Sequence, residues 1–86
     1  MTPEQLAQSI RLLLDDEHVV YATKYETIIY KLFSTPNRGT FLAIHQAPEG
    51  FTCKYAAIMV GDSREIIAKY STLEGLIAKL KLLDIL

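Results

Sequence analysis

One cysteine, three prolines, four glycines and no tryptophan are spread over 86 residues, and neither sign of charge prevails, with 9 Lys and Arg against 10 acids. The lone Cys53 can form no internal disulfide and no cysteine-based metal cluster. That usage fits a reducing compartment, so a cytoplasmic location is expected. A net charge of −1 supplies no global pull toward nucleic acid or an anionic membrane, so any charge-based binding has to be local. The longest uninterrupted apolar run is only Tyr55 to Val60, and Met1 to Gln5 carries no basic stretch ahead of an apolar one. Neither a membrane span nor a signal peptide is expected. Gly39, Gly50, Gly61 and Gly75 fall in three turns and one helix, which leaves no glycine-rich phosphate loop, and no cofactor is expected.

Apolar residues, by contrast, make up 50% of the chain. A chain of this length forms one domain, residues 1–86, and a domain so small keeps a large fraction of its surface in water. The apolar surplus therefore points to surface buried between chains, most simply in a homodimer.

Two helices are marked by their starts. Thr2 can cap, Pro3 loses no hydrogen bond at the first helical position, and Gln5 completes a capping box. Leu6, Ile10, Leu13 and Leu14 then share one face, and the acids Asp15, Asp16 and Glu17 oppose the helix dipole and end the helix. Near the C-terminus, Ser71-Thr72-Leu73-Glu74 is a second capping box, followed by a stripe of Leu73, Leu76, Ile77, Leu80 and Leu83. Ala78, Leu82, Ile85 and Leu86 line the opposite side of that helix and form a candidate dimer contact.

Between the helices, turn chemistry at Thr35 to Gly39, Ala47 to Gly50 and Gly61-Asp62 predicts four strands, roughly 27–34, 40–46, 51–60 and 64–70, the first with a possible extension back to Val19. A two-residue turn at Gly61-Asp62 sets Met59 opposite Arg64, Ala57 opposite Ile66, Tyr55 opposite Ala68 and Cys53 opposite Tyr70. Centring the preceding turn on Pro48-Glu49 adds Ile44 opposite Cys53 and Leu42 opposite Tyr55. Pairing Ser34 with Thr40 sets Leu32 beside Leu42 and Tyr30 beside Ile44, so one face is apolar throughout. Residues 23–33 also admit a helix, because Thr23 to Glu26 resembles a capping box and Tyr25, Ile28, Ile29, Leu32 and Phe33 recur at helical spacing. The expected fold is α+β, a four-stranded antiparallel meander with N- and C-terminal helices packed on the face of Leu42, Ile44, Tyr55, Ala57, Ile66 and Ala68.

Conventional catalytic side chains are few. Cys53 and His45 fall on opposite faces in this pairing and cannot form a nucleophile pair. Asp15-Asp16-Glu17-His18 gathers carboxylates beside an imidazole, but consecutive residues point apart and supply no ordered metal loop. No metal site and no catalytic residues are expected. The second sheet face is richer. There the pairing aligns Lys31, Ala43, Lys54 and Lys69, beside a row containing Phe33 and Phe41. Lys31, Phe33, Phe41, Lys54 and Lys69 thus form a candidate binding surface for an acidic segment or a single-stranded nucleic acid. The reading these features favour is a non-enzymatic protein-binding or regulatory module that forms homodimers. A nucleic-acid-binding sheet ranks second and a small-molecule enzyme third.

Overall fold

The computed structural model describes residues 2–31, 41–47 and 52–86. Leu32, Phe33, the Thr35 to Gly39 loop and the Pro48-Glu49-Gly50 turn lie outside them. The element order is α1 (Pro3–Arg11), β1 (His18–Ala22), β2 (Thr27–Lys31), β3 (Phe41–Gln46), β4 (Tyr55–Val60), β5 (Arg64–Tyr70) and α2 (Leu73–Leu82). The α+β class, the antiparallel meander and the terminal helices agree with the sequence. The sheet has five strands in the order β1-β2-β3-β4-β5, one more than expected.

α1 starts as its residues dictate. Thr2 Oγ1 accepts the Gln5 amide at 3.2 Å, and Gln5 Oε1 accepts the Thr2 amide at 2.9 Å, which satisfies two amides that the helix leaves unpaired. Leu6, Ala7 and Ile10 are its buried face. The helix stops at Arg11, short of the three acids, and Leu13 and Leu14 pack against the core from the following turns. Arg11 reaches the carbonyl of Val20 with Nε at 3.1 Å and Nη2 at 2.8 Å. The guanidinium thereby occupies an acceptor on the edge strand β1 that another chain could otherwise pair with.

The extra strand comes from the segment whose sequence also suits a helix. Thr23 Oγ1 accepts the amides of Tyr25 and Glu26 at 3.3 and 3.0 Å, and the Thr23 amide donates to the Glu26 carbonyl at 2.8 Å. A hydroxyl taking amides two and three residues ahead is what caps a helix; here the same bonds close a turn between Ala22 and Thr27. β1 is thus a separate strand folded back on β2, and residues 27–31 are strand rather than helix.

Register corrects the expected faces. Across β2 and β3, Thr27 pairs with Ile44 and Ile29 with Leu42, an odd displacement from the expected pairing. Ile29 therefore enters the core, whereas Tyr30, expected beside Ile44, is exposed on the other side. Across β3 and β4, Ile44 pairs with Ala57 and Leu42 with Met59, an even displacement that keeps every face as expected. Across β4 and β5, a three-residue connection sets Val60 opposite Arg64, and a bulge at Ala57/Ile58 lets Ala57 face Ala68 while Ile58 faces Ile66. Ile67 is the unpaired residue and packs against the core. Ile66, expected inside, is 53% exposed on the outer face.

The core lies between one face of the sheet and both helices. Leu6, Ala7 and Ile10 meet Val20, Ile29, Leu42, Ile44 and Ala57, with Leu73, Leu76, Ile77 and Leu80 of α2 completing it. Thr27 is fully buried and donates from Oγ1 to the Pro3 carbonyl at 2.8 Å, tying the start of α1 to β2.

α2 is capped by Thr72 rather than Ser71, with Thr72 Oγ1 accepting the Gly75 amide at 3.1 Å. A Cβ on Gly75 would lie 2.9 Å from that hydroxyl and 3.0 Å from Cδ1 of Tyr70. Helix propensity alone favours alanine by about 1 kcal/mol. Gly75→Ala is nevertheless expected to lower stability by about 1 kcal/mol, since it displaces the cap and the ring together. Urea unfolding checks the sign; a stabilised variant would show that both neighbours yield freely.

The helix ends at Leu82, and the chain then reverses. Asp84 takes a left-handed φ of 59°, its amide donates to the Lys81 carbonyl at 3.1 Å, and the Ile85 amide donates to the Leu80 carbonyl at 2.9 Å. This is a Schellman closure. It breaks the expected stripe of Ala78, Leu82, Ile85 and Leu86. Ile85 and Leu86 fold back onto the core, while Ala78 and Leu82 stay exposed, Leu82 at 82%.

Candidate functional site: the outer sheet face

The outer face of the sheet is the side opposite both helices. Register places one row across every strand, Tyr21 beside Ile28, Ile28 beside Ala43, Ala43 beside Ile58, and Ile58 beside Ile66. All are apolar or aromatic. Val19 and Tyr30 pair on one side of the row, as do Phe41 and Val60, while His45, Ala56 and Lys69 align on the other. Tyr21 and Tyr30 are each 41% exposed and meet edge to face, with centroids 6.0 Å apart and planes at 72°. Ile28 and Ala43, at the centre, are buried.

This pairing replaces the expected lysine row. Ala43 has Ile28 and Ile58 as neighbours rather than lysines. Lys31 pairs with His18, Lys69 with Ala56, and Lys54 precedes β4, its carbonyl accepting the Ala47 amide at 2.7 Å. Phe41 pairs with Val60. Phe33 lies outside the described residues. Of the expected binding residues, Phe41 and Lys69 sit on the outer face, at separate levels of the sheet.

One ionic cluster lies on the same face. Glu26 closes the β1–β2 turn, His45 lies on β3 and Arg64 opens β5. Glu26 Oε1 is 3.1 Å from His45 Nε2 and is also bonded by Arg64 Nη2, which is 3.3 Å from that imidazole nitrogen. With a proton on Nε2 the ring donates to Glu26; without one, Nε2 accepts from Arg64. Burial pushes the Glu26 carboxyl upward, but the hydrogen bonds from Arg64 and His45 outweigh it and hold the carboxyl below the ordinary 4.5. A depressed value means stability that is present above pH 4.5 and lost as pH falls through the folded value. Asp15 acts with the same sign, so the wild type should lose stability steadily below about pH 5 and Glu26→Gln should lose less over that range. Urea unfolding from about pH 6 to about pH 3 measures both, and equal slopes would remove Glu26 from the effect.

The other candidate groups stay apart. His18 pairs through Nδ1 with Asp15 Oδ1 at 2.7 Å, a bond that holds the Asp15 carboxyl below its usual range. The ring is buried, at 6% side-chain exposure, and Nε2 has no partner among the described residues. A cavity of about 400 Å³ beside it is lined by Arg11, Leu14, Asp15 and Asp16. Among the described residues no group of three or more His, Cys, Asp or Glu side chains is placed to hold a metal. Cys53, expected opposite Tyr70 on the core face, precedes β4 instead and lines a cavity of about 210 Å³ with Ala56 and Lys69. Tyr70 pairs with Tyr55. No helix among the described residues is long and apolar enough to cross a membrane.

Sequence reasoning missed Glu26 and Arg64. Glu26 reads as part of a capping box, Arg64 as a hairpin residue, and nothing in their spacing links them to His45. Only the pairing of the strands brings the three to one face. Neither a protein-family model nor a curated protein nor a solved structure matches the chain.

Proposed function

We infer that the protein is a non-enzymatic interaction module that pairs with a second copy of itself through the outer sheet face. The observation that carries this reading is the apolar row Tyr21, Ile28, Ala43, Ile58, Ile66, which crosses all five strands on the side opposite α1 and α2. A sheet with one such face buried and another available is half of a sandwich, and two copies packed face to face complete it. One feature favours a second copy over a strongly charged partner. A net charge of −1 gives two copies little mutual repulsion. The exposed Leu82 and Ala78 lie away from this face, on α2.

Sedimentation equilibrium from low to high micromolar concentration tests the reading. The wild type should form dimers, and Ile58→Asp should weaken them by about 100-fold or more, because a carboxylate would be buried unpaired at the centre of the contact. A wild-type monomer of about 10 kDa throughout would refute it. The second reading keeps the same face for single-stranded nucleic acid, supported by the exposed rings of Tyr21 and Tyr30 and by Lys69. Anisotropy of labelled oligonucleotides separates the two, since a lysine-dependent complex weakens steeply with salt and a sheet sandwich does not.

A further inference from the structure

The ionic cluster bears on whether the apolar row is open. In register, Arg64 is level with Val60 and Phe41, whereas His45 is level with Ala56 on the other side of the row. An arginine that starts at one level and ends on His45 and Glu26 at the other must cross the level of the row. Ala43 and Ile28 are buried although the helices lie on the opposite side, Ile58 is partly buried, and Ile66 on the edge strand β5 is 53% exposed. Long cationic side chains commonly cover apolar surface with their stems.

We propose that Arg64 is a strap: bound to Glu26 and His45 it covers the middle of the apolar row, and a second copy docks there only when the strap lets go. The proposal rests on the outer-face reading above. Two sheets packed face to face stand about 10 Å apart with their side chains interdigitated. A guanidinium held across the row would have to be buried in that space together with its carboxylate, at a desolvation cost that excess contact does not recover. Strapped and docked states therefore compete. The arginine side chain is itself 50% exposed, so the lock is modest, and a modest lock suits a device that opens reversibly.

The test is sedimentation equilibrium of Glu26→Ala, Arg64→Ala and the double variant at neutral pH, with Lys69→Ala as a control that removes a cation from the same face but leaves the strap. Circular dichroism confirms folding, and Glu26→Gln replaces Glu26→Ala if the latter unfolds. Each strap variant should dimerise about fivefold to tenfold more tightly than wild type, the double variant no more tightly than the better single one, and Lys69→Ala like wild type. Wild type and strap variants dimerising equally would overturn the strap and leave the docking face standing. Weaker dimers in the strap variants would also overturn it, by making the cluster part of the contact. Monomers in every case would overturn strap and docking face together.

Discussion

Ile29→Ala is expected to lower the free energy of unfolding by about 3 kcal/mol, and Tyr30→Ala by about 1 kcal/mol or less. The neighbouring residues point to opposite faces of β2, and the pairing of Ile29 with Leu42 decides which is inside. Ile29 is buried among the core residues, so truncation removes several methylenes and leaves a cavity that the sheet and α1 cannot fill by small shifts. Tyr30 is 41% exposed and contributes its edge-to-face contact with Tyr21, worth about 0.5–1.5 kcal/mol before solvent exposure is considered. Urea denaturation of both variants, with unchanged dependence on denaturant, gives the two costs directly. The reverse order would return β2 to the face that Ser34–Thr40 pairing implies and would take the apolar outer row apart.

That contrast also shows which parts of the fold can be read from residues. Thr2 and Gln5 reveal the start of α1 because a capping box is local: its donors and acceptors lie within one turn. β3 and β4 keep their faces because the real pairing differs from the expected one by an even number of residues, and side-chain direction repeats every two. β2 does not, since its displacement from the expected pairing is odd and turns every side chain over. Thr23 explains the missed strand, as one hydroxyl bonding pattern serves both a helix cap and a tight turn. Ile66 and Ile67 exchange faces through a bulge that no alternation of residue types announces. The candidate site depends on all of these pairings at once. Glu26, His45 and Arg64 meet only after the pairings of all five strands are set, so their cluster is the least legible feature of the chain.

The outer face changes the meaning of the high apolar content. Half the residues are apolar, and the sequence alone suggests the C-terminal helix as the place where the surplus meets a partner. Ile85 and Leu86 instead pack, partly buried, against the core of their own chain, and the surplus reappears as the row on the sheet.

Leu80→Ala should therefore cost about 3–4 kcal/mol, while Leu82→Asp, which a helix-mediated dimer could not tolerate, should change neither stability by more than about 0.5 kcal/mol nor the oligomeric state. Leu80 is fully buried, and its carbonyl accepts the Ile85 amide that closes the C-terminus of α2. Removing its side chain opens a cavity beneath the point where Ile85 and Leu86 fold back, so the loss spreads from the helix to the terminal residues. Leu82 belongs to the last turn of the same helix but is 82% exposed, and an aspartate there meets water on nearly every side. Its negative charge near the helix C-terminus opposes the dipole by a few tenths of a kcal/mol, which bounds the expected change. Urea unfolding measures the two stabilities and sedimentation equilibrium the assembly. Dissociation of the dimer by Leu82→Asp, with stability unchanged, would move the contact from the sheet face to α2.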